Sequence, residues 1–255
     1  TTTAALATAA AGAPTAGDRV PDDLTDQPTD ARAVIYALLL NDDDATRTAQ
    51  LKAIAEQDAP DVRTKTESVI DAVRRQIGDD VARLQEAERW YDGIRAMSPG
   101  GYRTFRKLAR ALMEQDDVIS LFESALQKSM TRSLDAAFGL RRKRPIRQRN
   151  LEPITQETSL LLSRLAWAEE APAETARAAF GAGVAQLNHD PKSDLELVAS
   201  EQCTVAAFDA ALDEVAHATN MVTANILHAC SEAVQMNQDY TYDQALLLIA
   251  IADTF

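Results

Sequence analysis

MEQDDVISLFESAL, residues 113–126, and VQMNQDYTYDQALL, residues 234–247, share one layout. Each reads as the end of an amphipathic helix, a short turn rich in Asp, Asn and Gln, one β-branched or aromatic residue, and a new helix opened by Ser or Thr. At a constant offset of 121 residues, Asp116, Ile119, Ser120, Glu123 and Leu126 fall on Asn237, Tyr240, Thr241, Gln244 and Leu247. A layout repeated at that distance predicts two related helical lobes. Its chemistry is either a metal loop or a helix corner. An EF-hand loop needs several converging oxygens, a Gly at its sixth position and a bidentate Glu at its twelfth, and neither stretch supplies them. Both keep Ser or Thr followed three residues later by Glu or Gln. In that pattern the hydroxyl accepts one free backbone N–H and the longer side chain returns to another, a capping box. Ser120 with Glu123 and Thr241 with Gln244 are therefore assigned to helix corners. A weak divalent site at Asp116, Asp117 and Glu123 is the alternative for the first corner.

Composition agrees with helices throughout. The chain has 255 residues, 46% apolar and 25% charged, with only nine Gly and nine Pro among abundant Ala, Leu, Arg, Glu and Asp, which is helix usage. No window is apolar and β-branched enough for a sheet. A net charge of −13 and a pI near 4.7 argue against duplex nucleic acid as a partner, because that affinity comes from neutralising phosphates with Lys and Arg. Cys203 and Cys230 are the two cysteines, in no metal or redox spacing, and fit a reducing cytoplasm. The longest apolar runs, 33–40 and 245–252, fall well short of the roughly 20 residues that span a bilayer, so the chain is expected to be soluble. Its first residues, TTTAALATAAAGAPTAG, lack the basic and apolar regions of a signal peptide and read as the end of a linker.

Residues 1–29 are expected to form a flexible Ala/Thr-rich tether. The first helical lobe spans 30–140. It opens with the buried helix ARAVIYALLL, capped by Thr29 or Asp30, and a second helix started by the acidic run 41–44. A helical tract from Pro60 to about Met97, interrupted at Gly78, leads to a helix capped by Ser98 that runs to Gln115. After the corner, a helix reaches about Phe138 and stops at Gly139. Residues 141–149, RRKRPIRQR, form a basic connector, since Pro145 and the like charges oppose a helix. The second lobe spans 150–255, with a polar loop at 188–194 and helices over roughly 194–217 and 219–236.

ARAVIYALLL at 31–40, GYRTFRKLARALMEQDDVISLFESAL at 101–126 and LDAAFGLRRK at 134–143 resemble the cytoplasmic C-terminal region of bacterial membrane-bound M48 (HtpX-like) zinc metallopeptidases. The resemblance covers most of 30–255. It implies an all-α fold of two related TerB-like helical lobes packed as a multi-helix bundle, with the protease domain, its zinc and its membrane helices before Thr1. The chain would then lie at the cytoplasmic face of the inner membrane and bind protein partners or substrates, as a regulatory region. Members of that family often carry Asp-Gly in each corner, where this chain has Asp117 and Gln238. A TerB-like metal-sensing module is the alternative reading.

No catalytic residue and no cofactor is assigned within 1–255. The His-Glu-x-x-His helix that holds zinc and activates water in such proteases does not occur around His189, His217 or His228. Glu214 and His217, with His228 and Glu232, supply only one of the two Glu-x-x-His pairs of a carboxylate-bridged di-iron site. They are read as surface or helix-capping groups. Arg141, Arg142, Lys143, Arg144, Arg147 and Arg149 invite two readings. One is a solvated connector paired with acidic helices of the same molecule; the other is a contact with anionic lipid headgroups.

Overall fold

The computed structural model describes residue 24 and residues 27–115, 119–140, 144–168, 171–187, 195–236 and 241–255. The chain is all-α: among the described residues there is no strand, and the only sheet-like feature is an isolated parallel bridge between Gln148 and Ala218. Among the described residues no helix is long and apolar enough to cross a membrane. The backbone separates into two compact units, whose described parts are residues 27–140 and 144–255.

In the first unit, α1 (Pro28–Leu39) is buried on all sides, as its unbroken apolar run requires, with Ala31 and every residue from Ala33 to Leu40 in the core. Its start corrects the sequence reading. Gln27 is the N-cap and makes no side-chain bond. Pro28, with its fixed φ and missing N–H, is suited to the first helical position, so Thr29 and Asp30 fall inside the first turn. Asp30 is buried and ion-paired with Lys65. Around α1 pack α3 (Pro60–Gln76), α4 (Asp80–Arg89), α5 (Tyr91–Arg95) and α6 (Pro99–Met113). The sequence suggested one break in that tract. The structure adds another at Trp90, whose indole is tied to Glu86 at 2.8 Å and whose backbone N–H tightens to Ala87 O.

Between α1 and α3, α2 (Asp44–Gln57) starts at Asp43, which accepts from Thr46 N at 2.8 Å. Buried Gln50 on α2 uses both ends of its amide. Nε2 donates to Leu39 O and Leu112 O, the carbonyl ends of α1 and α6, and Oε1 accepts from Asn41 N. Such helix-end carbonyls lack partners of their own, and one glutamine satisfies two of them.

Past the first corner, α7 (Leu121–Met130) continues into a π-helical turn, Thr131–Asp135, before stopping at Gly139, whose φ of 67° favours glycine. The sequence predicted an ordinary helix here. The wider turn carries Asp135 into the core, where its carboxylate accepts from Tyr102 OH at 2.7 Å and pairs with Arg106 Nε at 2.8 Å. Burial first, and the Asp135 carboxylate second, hold the Tyr102 phenol well above its ordinary pKa. Phe138 stacks on Tyr102 with ring centroids 4.1 Å apart.

In the second unit, α8 (Thr155–Ala166) packs against α9 (Ala173–Gln186), α10 (Val205–Val215) and α11 (Asn220–Gln235). Small residues bring α9 and α11 together: Ala176, Ala179 and Gly183 on one, Ala229 and Ala233 on the other, all buried. A Cβ built on Gly183 would stand 2.8 Å from Leu162 Cδ2 and 2.9 Å from Ala229 O. The helix expected over 194–217 begins only at Val205, with Thr204 as its cap. Residues 195–199 instead form a stretch without helix, turn or bend. The polar loop 188–194 lies outside the described residues. In α12 (Tyr242–Thr254), every residue from Gln244 to Ile251 is buried.

Both corners close with complete capping boxes. Ser120 Oγ accepts from Glu123 N at 3.2 Å while Glu123 Oε2 accepts from Ser120 N at 2.8 Å. Thr241 Oγ1 accepts from Gln244 N at 3.2 Å while Gln244 Oε1 accepts from Thr241 N at 3.3 Å. The corners differ in one respect. Gln244 is buried, and its Nε2 donates to Leu165 O, near the end of α8, at 3.2 Å. Ser120→Ala and Thr241→Ala should each lower stability by about 0.5–2 kcal/mol, the usual cost of losing a cap. Unchanged urea midpoints for both variants would contradict these bonds.

Candidate functional site

The C-terminal end of α10 leaves backbone carbonyls that the helix cannot pair. Residues 216–219 then turn into α11, with Thr219 as N-cap. Onto this turn the connector lays its main chain. His217 O accepts from Arg147 N at 2.8 Å and from Gln148 N at 3.2 Å, and Gln148 O accepts from Thr219 N at 2.9 Å. His217 Nδ1 lies 2.9 Å from Pro145 O. Because a carbonyl can only accept, Nδ1 carries the proton. Gln148 Nε2 reaches Glu214 Oε1 at 3.4 Å, and Arg144 Nη1 donates to Thr254 O, at the end of α12, at 2.9 Å.

These contacts bear on two sequence readings. Glu214 and His217 are turned toward the connector. His217 lies past the end of α10 and His228 on α11, so the helix needed to align them is broken. Among the described residues of the connector, Arg144 uses a backbone carbonyl, while Arg147 and Arg149 are exposed and form no ion pair. Beside Arg147, Ile146 is 63% exposed, and Met221, two residues beyond Thr219, is 70% exposed. The backbone bonds thus hold cationic and apolar side chains in solvent in one fixed conformation. Residues 141–149 carry six basic side chains, whereas 150–255 carry 16 acidic and three basic ones. Arg141, Arg142 and Lys143 lie outside the described residues.

At the first corner, Asp116 and Asp117 also lie outside the described residues. Glu123 Oε2 accepts from both the N–H and the hydroxyl of Ser120, so this carboxylate is already engaged in the cap. Among the described residues no three His, Cys, Asp or Glu side chains gather to hold a metal ion. Both thiols are buried. Burial pushes Cys230 up to about 12 and also raises Cys203, whose Sγ lies 4.0 Å from Val198 O.

Sequence reasoning missed the junction because its bonds use main-chain atoms, which any residue supplies. The one usable signal was a helix end and a helix cap packed into residues 214–220, a turn rich in unpaired backbone groups. Comparison with family models, with curated proteins and with solved structures finds no match for the chain.

Proposed function

We propose that this chain is the non-catalytic regulatory or protein-interaction region of a membrane-bound zinc metallopeptidase of the HtpX-like type. The protease domain and its zinc lie upstream of Thr1, and the connector meets the anionic inner surface of the membrane. The resemblance at 31–40 and 101–143 supports the first part. The observation that carries the second is the junction, where Arg147 and Arg149, exposed and without an ion pair, follow exposed Ile146, with exposed Met221 in the first turn of α11. Cationic side chains near an anionic surface contribute about 1 kcal/mol each, and apolar neighbours can enter the headgroup region. The net charge of −13 opposes approach only weakly, because physiological salt screens charges lying more than about 8 Å from the surface.

The two units are read as TerB-like lobes related by duplication. The 121-residue offset carries α6 and its cap Ser98 onto α11 and Thr219, and the start of α7 onto that of α12. The capped Glu123 gives the metal-sensing alternative no added support.

The full chain should co-sediment with vesicles containing phosphatidylglycerol, release them as salt rises, and leave phosphatidylcholine vesicles unbound. Arg147→Ala with Arg149→Ala should weaken partitioning about 30-fold, from about 2 kcal/mol of lost attraction. Equal binding by the double variant would overturn the membrane-facing assignment. A parent sequence lacking both membrane spans and a His-Glu-x-x-His helix would overturn the metallopeptidase assignment.

A further inference from the structure

One stripe of α8 makes no use of its polar side chains within the helix and spends them on another segment's main chain. Ser159 Oγ accepts from Glu196 N at 3.2 Å, Ser163 Oγ accepts from Val198 N at 2.9 Å, and Trp167 Nε1 donates to Val198 O at 2.8 Å. The three side chains stand at i, i+4 and i+8. Successive serines are separated by about 6.0 Å of helix, and amides two residues apart in an extended chain by about 6.6 Å. The match lets a helix read alternate amides of an extended segment, a pairing that its own spent backbone bonds cannot make.

The receptor side of this contact is built into the core, with Ser159 and Ser163 both buried. The bound side is not: none of residues 195–199 is buried, and Glu196 and Ala199 are exposed. Recognition therefore runs through the main chain, with little demand on side-chain identity.

We infer that the Ser159–Ser163–Trp167 stripe is a peptide-binding site, occupied in cis by residues 195–199, and that an extended peptide segment of a partner protein can take their place. The partner must offer free N–H groups two residues apart and a carbonyl on the second of those residues. Proline at the second position abolishes the fit, because it removes the donor to Ser163. A tethered segment competes at an effective concentration in the millimolar range, so a free peptide gains entry only at comparable concentration or when the strap is weakened. This inference does not depend on the membrane-facing assignment.

The probe is an acetylated, fluorescein-labelled peptide with the sequence of residues 195–202, LELVASEQ, added to the full chain. Val198→Pro removes the strap's own bond to Ser163 and should raise peptide affinity about tenfold, the worth of one good hydrogen bond. Adding Ser163→Ala to that variant should cancel the gain. A readout without substitutions uses the wild-type chain: millimolar unlabelled peptide should speed hydrogen exchange at the Glu196 and Val198 amides and leave the α8 amides protected. A peptide with proline in place of its Val should do neither. Equal affinity for wild type and Val198→Pro, or exchange at Glu196 and Val198 unmoved by saturating peptide, would overturn the inference.

Discussion

Gln244→Glu is expected to destabilise the chain by up to about 3.7 kcal/mol at pH 7, the work of keeping a carboxyl of pKa near 4.3 protonated at that pH. The side chain is buried and faces Leu165 O. An ionised carboxylate there loses the donor and sets negative charge against a carbonyl. A protonated one still donates, and its other oxygen still accepts from Thr241 N. Folding therefore raises the pKa of the introduced carboxyl. Relative to wild type, the deficit is small below about pH 4 and grows as pH rises through the unfolded value. Glu123→Gln, the reciprocal change at the half-exposed first corner, should cost about 1 kcal/mol or less, the worth of a charge near a helix N-terminus. Urea denaturation of both variants at pH 4 and pH 7 decides the matter. A Gln244→Glu chain as stable as wild type at pH 7 would remove the bond to Leu165.

Gly183→Ala should cost about 1–3 kcal/mol, the range for overpacking a filled core. Leu162 could rotate its methyl aside, but the Ala229 carbonyl, 2.9 Å from the added carbon, belongs to the α11 backbone and can yield only if the helices part. Gly181→Ala is the internal control. A Cβ there meets nothing within 4 Å, so the better helix former should stabilise by up to about 1 kcal/mol. Opposite shifts in melting temperature for two glycines on one helix would identify the crossing. Shifts of the same sign would contradict it.

The parts of the fold that were legible in the sequence are those made by local rules. Ser98 before Pro99, Asp43 in the acidic run and the two Ser/Thr-x-x-Glu/Gln boxes mark helix starts, because each satisfies backbone donors within four residues of itself. The misread parts depend on distant partners. Asp135 needs Tyr102 and Arg106 to justify a π turn. Residues 195–199 look helical in a composition rich in Leu, Glu and Ala, yet Ser159 and Ser163 offer their amides partners outside a helix. The connector was read by its charge, which is a side-chain property. Its conformation is set by the carbonyl of His217, which no pattern of side chains announces. Gln244 shows the same division: its spacing identified the cap, and only the fold shows why it is not Glu.

The burial of the two thiols gives the molecule a pair of internal clocks. Alkylation requires a thiolate and access, and both are denied to Cys203 and Cys230 in the closed state. They open by different routes. Cys230 sits in the middle of α11 with no exposed surface, so its modification waits for α11 to separate from its neighbours. Cys203 lies two residues before α10 and beside Val198 O, so its modification is expected to follow detachment of residues 195–199 while the helices stay packed. Their reaction rates with one reagent therefore time a local event and a global one in the same chain, without an added label.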